Sequence, residues 1–155
     1  MQNRVKSWSI LSLNRQVAVG NKEGNSEKIR KHRDHSIHYF ENAIRFIELG
    51  ELEKASEFLW GSVAQSLKAV AATKNVSLKS HDDLQEYTRA LSRSLRDESI
   101  WYIFNVGQSL HSNFYETGLK LEYIEVSAEN VRMMLTKLNN LLPEELKDTA
   151  FFKKA

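Results

Sequence analysis

The sequence predicts an all-α domain: a helical bundle of five main helices built on a long antiparallel helical hairpin. Three observations carry this. The 155 residues include one proline and six glycines, too few for the turns of a β-sandwich or barrel. Apolar residues recur at steps of three and four over several long stretches, the period of one helix face. Gly50 alone separates two of those stretches, so the second helix must fold back along the first.

Residues 1–25 hold apolar side chains such as Val5, Trp8, Ile10 and Leu13 without a steady period, and read as a peripheral or poorly ordered arm. The helical domain is expected over residues 26–142. Its first helix runs from about Ser26 to Leu49 on Ile37, Phe40, Ile44 and Ile47. The second, from Leu52 to about Thr73, carries Leu52, Ala55, Leu59, Val63, Leu67 and Val70. Within it, Gly61 removes a side chain where a neighbouring helix can come close. Ser80 followed by Asp82 and Asp83 has the form of a helix start, so the third helix is expected over His81 to Leu95. The fourth is the aromatic stretch Glu98 to Glu116. Thr117 to Val126 breaks the period and predicts a link, after which Ser127 caps a fifth helix to Leu142, with Val126 and Val131 as a hydrophobic staple. Pro143, at a first helical position, opens a short terminal helix in residues 143–155 that fades near Phe151.

The absence of cysteine excludes disulfides, thiolate metal sites and cysteine nucleophiles, and fits a cytoplasmic location. No apolar run approaches the ~20 residues of a membrane span, and no glycine-rich phosphate loop or serine triad is present. The net charge of +2 is uneven. Residues 1–38 hold eight Lys/Arg against three Asp/Glu. Lys28, Arg30, Lys31 and Arg33 are therefore candidates for meeting nucleic-acid phosphates, against the alternative of a merely solvated helix start. His32, His35 and His38 recur at steps of three, but the outer two lie about 240° apart on a helix and cannot share one metal. No metal or cofactor is expected.

The fourth helix offers the best-placed chemistry. His111 falls near the line of Phe104 and Tyr115, which places it at or beside the core, with Gln108, Ser112 and Tyr115 along one polar edge. Asn105, Gln108, Ser112 and Tyr115 are hydrogen-bonding candidates for a pocket that His81, at the third helix start, would complete. A structural histidine bonded to Tyr115, His81 or a backbone carbonyl is the competing account of His111. For His81, the helix dipole favours a neutral structural imidazole.

The run AIRFIELGELEKASEFLWGSVAQSLKAVAATKNVSLKSHDDL, Ala43 to Leu84, with its Gly50-Glu51 turn, its Ala55-Ser56-Glu57 to Trp60-Gly61 segment and its Ser80-His81 start, resembles the type-one archaeal PaREP proteins. LHSNFYE, Leu110 to Glu116, is also similar to that family, and the likeness spans roughly residues 35–142. That family in turn looks like the wider HEPN group of helical domains. This resemblance implies a HEPN-like bundle that often dimerises, and a ribonuclease, or a protein partner of the nucleotidyltransferase type in a toxin-antitoxin pair. The catalytic mark of such ribonucleases is an Arg, then four to six residues, then a His. His111 would be that His, with an imidazole suited to moving the proton of a ribose 2′-OH. The matching Arg positions hold Phe104, Asn105 and Val106, and the nearest upstream arginine is Arg96. The cation that would stabilise the transition-state charge is thus missing from its place.

The sequence accordingly favours a non-catalytic HEPN-like binding or assembly module, a homodimer that takes RNA, a nucleotide or a toxin-antitoxin-type protein partner. A metal-independent ribonuclease using His111 is the alternative, and a purely structural domain the third reading.

Overall fold

In the computed structural model, which describes residues 22–112 and 120–151, five α-helices appear in order. They are α1 (Lys22–Glu48), α2 (Leu52–Ala72), α3 (His81–Leu95), α4 (Glu98–Ser112) and α5 (Leu121–Asn139), followed by the 3-10 turn η1 (Glu144–Leu146). No strand occurs among the described residues. The all-α bundle is as the sequence predicts.

α2 touches each of the other four helices, most extensively α1. Its buried residues explain why. Leu59, Val63 and Leu67 are fully buried in the core, while Ala55, Ser56, Ser62, Ser66 and Ala69 are small enough to let other backbones come close. α1 meets this surface with Phe40, Ala43 and Ser36, and the Ser36 hydroxyl donates to the Ser62 carbonyl at 2.8 Å. Where Gly61 stands, a Cβ would lie 3.0 Å from the Tyr39 ring. This is the close approach expected of that glycine.

The hairpin turn is a Schellman motif. Gly50 takes φ +74°, the Glu51 N–H donates to the Phe46 carbonyl at 2.9 Å and the Gly50 N–H to Ile47 at 3.0 Å. Equivalent bond pairs close the next two helices. Val76 to Ala71 and Asn75 to Ala72 end α2, and Asp97 to Ser92 and Arg96 to Arg93 end α3. At these two ends Asn75 and Arg96 occupy the left-handed position, at φ 57° and 53°. Asn tolerates it, whereas Arg pays a steric cost.

α3 begins at His81, as expected, and Ser80 accepts from the Asp83 N–H at 3.0 Å while the Asp83 carboxylate accepts from the Ser80 N–H. The full capping box is closed by Asp in the role usually taken by Glu or Gln.

Four boundaries differ from expectation. α1 starts at Lys22 rather than Ser26; the remainder of the expected arm, residues 1–21, lies outside the described residues. α5 starts at Leu121, six residues before the Ser127 cap that the sequence suggested. Ser127 is instead buried within the helix, and Val126 is 57% exposed, so it staples nothing. The reason is Ile124, fully buried one turn before Ala128, which extends the core stripe of Val131, Leu135 and Leu138 back toward Leu121. α5 ends at Asn139, not Leu142. Beyond Pro143 only η1 forms, anchored by buried Leu146 and by the Arg33 guanidinium, which donates to the Leu146 carbonyl at 2.6 Å. No helix among the described residues is long and apolar enough to cross a membrane.

α5 is tied to the start of α4 by a polar contact at the bundle rim. The Lys137 ammonium donates to Asp97 and to Ser99, both at 2.7 Å, and the Ser99 hydroxyl donates to the same carboxylate at 2.6 Å. The Lys137 bond, then that from Ser99, hold the Asp97 carboxyl below its usual range. Its contribution to stability is therefore present above about pH 4 and is lost as pH falls through the depressed pKa. Replacing Lys137→Met should cost up to about 1 kcal/mol in urea unfolding at neutral pH, because the pair is partly exposed. The gap between variant and wild type should close in acid. A gap independent of pH would contradict this account.

Candidate functional site

The rings of three helices, α2, α3 and α4, meet around Trp60 of α2. His111, in the last turn of α4, stacks on it with centroids 5.8 Å apart and planes at 26°. His81, at the first position of α3, approaches the same indole at 5.4 Å, and Phe104 does so edge-on at 5.5 Å. Trp101 stacks on Phe104 at 5.8 Å, and the Arg89 guanidinium lies 4.8 Å over Trp101. The indole can sit there because Gly107 lies beneath it. A Cβ at that position would be 3.1 Å from Trp60 Cε3.

Two polar pairs edge the rings. His111 Nδ1 lies 3.1 and 3.2 Å from the two Glu57 carboxylate oxygens, so the ring donates from Nδ1, and Nε2 has no partner among the described residues. The Gln108 amide N–H donates to His81 Nε2, which makes that nitrogen the acceptor of a neutral imidazole with its proton on Nδ1. His81 and His111 therefore do converge, as the sequence allowed, but on a shared indole rather than in an enclosed pocket.

Three expectations are corrected. His111 does not point at the core: its side chain is 47% exposed. Leu110, fully buried, takes the core position, and the next residue lies about 100° round the helix, over α2. Its partner among the described residues is Glu57, rather than His81 or a backbone carbonyl. Asn105 is not part of the cluster, since its amide donates back to the Trp101 carbonyl of its own helix at 2.7 Å. Ser112 is exposed at the end of α4 and has no partner among the described residues, and Tyr115 lies outside them. Glu57 and Trp60 are the site residues that sequence reasoning did not assign. Their signal was the spacing of three that puts both on one side of α2.

The basic candidates divide. Arg33 is committed to the Leu146 carbonyl and to Asp34, at 2.8 Å, so it holds the chain end rather than a ligand. Lys28, Arg30 and Lys31 are exposed on α1, and the Lys28 ammonium reaches the Ser77 hydroxyl at 3.4 Å. The histidines of α1 do not gather: His32 bonds Gln65, His35 stacks on Tyr39 and His38 meets Asn42. Among the described residues no three His, Asp or Glu side chains come together in a way that would hold a metal ion.

Chemically, a carboxylate-held imidazole can accept or deliver a proton at Nε2. The same carboxylate repels a phosphate, and no Lys or Arg side chain bonds His81, Gln108 or His111 among the described residues. The seat of Trp60 can be tested directly. Gly107→Val should displace the indole from His111, red-shift tryptophan emission and cost about 1–3 kcal/mol in unfolding, with the far-UV helical signal retained. Unchanged emission would show that Trp60 does not depend on that glycine.

Among known proteins, the fold has a counterpart in a crystal structure of a protein from Sulfolobus solfataricus. The two match with a TM-score of 0.62 over 70% of this chain and 97% of that one, at 24% identity, a likeness of fold alone. No curated protein matches the chain. The family model of the archaeal PaREP1/PaREP8 proteins matches residues 31–135, from the middle of α1 to the last turns of α5 and including every residue of the Trp60 cluster. The chain belongs to the archaeal PaREP1/PaREP8 family.

Proposed function

We propose that this domain is a non-catalytic, HEPN-like binding module and that its ligand face is the solvent side of α2, with single-stranded RNA as the ligand. The observation that carries this is the pairing of His111 with Glu57 rather than with a cation. Proton transfer to or from RNA needs positive charge beside the reacting phosphate, and the nearest arginine of the ring cluster, Arg89, is held over Trp101.

What the face offers is recognition. Lys54, Glu57, Gly61, Gln65 and Lys68 follow one another at steps of three and four along α2, and all are exposed or half-buried. Trp60 and His111 border this strip with a partly open π surface. A nucleobase can stack there, its edge meeting Gln108 or Glu57, while Glu57 keeps phosphate away. Such stacking contributes about 1–3 kcal/mol per base.

The alternative, a metal-independent ribonuclease using His111, is favoured by one feature: the carboxylate that orients the imidazole. The two separate in EDTA. A mixed single-stranded RNA should remain full length with the wild type and with His111→Ala, should quench tryptophan emission in the wild type, and should bind the variant about fivefold more weakly, about 1 kcal/mol. Cleavage by the wild type that His111→Ala lacks would make the protein a ribonuclease. Neither cleavage nor quenching would point to a protein partner, of the nucleotidyltransferase type or another.

The assembly part of the reading is a homodimer through the outer face of α5. Tyr123, Val126 and Met133 form an apolar row there, 44, 57 and 53% exposed. Light scattering should give about twice the 17.9 kDa chain mass for the wild type, and the single-chain mass for the double variant Val126→Glu/Met133→Glu. A wild-type monomer would remove the dimer.

A further inference from the structure

Among the described residues no Lys or Arg side chain bonds the His111 and His81 rings beside Trp60, yet about 12 Å further along the helix, eight residues on, the same strip reaches Lys68. There a bond between side chains joins α1 to α2. Gln65 Oε1 accepts from His32 Nδ1 at 2.7 Å, which fixes the tautomer of His32 and leaves Nε2 as its free nitrogen. The helices run antiparallel, so one turn back from His32 on α1 is level with one turn on from Gln65 on α2. Lys28 and Lys68 occupy those two positions, and Lys31 stands beside His32. Lys31 and Lys68 are in no ion pair among the described residues. Of the acids nearest on α1, Asp34 is paired with Arg33, and Glu27 pairs with none of these lysines.

We infer that Lys28, Lys31 and Lys68, set around His32, form a phosphate-binding site that takes a phosphodiester of the bound strand or free inorganic phosphate. The inference deepens the RNA reading by naming where charge, rather than a base, is held. It also replaces two of the residues that the sequence singled out: Arg33 is occupied elsewhere, and Arg30, two residues from both Lys28 and His32, falls on another side of α1.

The environment of His32 fits. Burial first, opposed by the Gln65 bond, and then the charges of Lys68, Lys28 and Lys31 hold its pKa below the ordinary value. A phosphate among the three ammonium groups offsets their repulsion. His32 can then take a proton on Nε2 and donate it to a phosphate oxygen, adding a charge-assisted bond to those from the lysines.

The test uses the full chain and inorganic phosphate, with the His32 ring signals followed by NMR. Phosphate should shift them saturably and raise the pH at which they titrate. In Lys28→Gln/Lys68→Gln, with helical circular dichroism retained, the saturable shift should be lost, and the salt slope of RNA affinity should fall by about 1.4 for the two charges on a single strand. A His32 signal that phosphate leaves unmoved, or moves equally in the double variant, overturns the site. A phosphate response together with no RNA binding would keep the site and remove RNA as its source, so the two failures are distinct.

Discussion

The packing of α2 against α1 is the constraint on which the rest of the molecule depends. α2 is buried along most of its circumference, and small residues such as Ala43, Ser36, Ala55, Ser62 and Ser66 let it come close to α1. The Gly50 turn sets the two helices antiparallel, and α3, α4 and α5 pack on what α1 leaves uncovered. α2 therefore has one narrow exposed strip, and both candidate sites lie on it. Trp60 and Glu57 face α4 across one border, while Gln65 meets α1 across the other, with Lys68 one turn further on.

This arrangement separates two chemistries that a nucleic-acid ligand requires. At the Glu57 end, negative charge and aromatic surface favour a base and disfavour a phosphate. At the Lys68 end, the proposed site sets three lysines about His32, whose pKa burial and their charges hold below the ordinary value. A nuclease needs both functions at one point. Their separation along α2, more than the sequence before His111, is what supports the proposed reading of binding without turnover.

Much of this fold was legible in the sequence, because it is written in local signals. Gly50 announces a helix end and a reversal. Ser80 and Asp83 announce the start of α3, and the structure places it at His81. The start of α5 was not legible, since no side chain caps it: Lys120 occupies the cap position without a side-chain bond. Only the burial of Ile124, a tertiary fact, extends the helix back past Ser127. The site shows the same division. His81, Gln108 and His111 could be chosen from helix position and residue type, but Glu57 is 54 residues from His111, and nothing local marks the pair. Arg33 looked like a phosphate ligand because its neighbours are basic, until the chain end folded back and Leu146 offered it a carbonyl.

The most direct test of the central claim is a map of amide shifts when single-stranded RNA is added to the isotopically labelled protein. The account predicts shifts that follow the exposed strip of α2, at Glu57, Gly61, Gln65 and Lys68, with Gly107 and His111 responding across the border and the RNA recovered intact. Shifts confined to Tyr123, Val126 and Met133 on α5, or recovery of cleaved RNA, would contradict it.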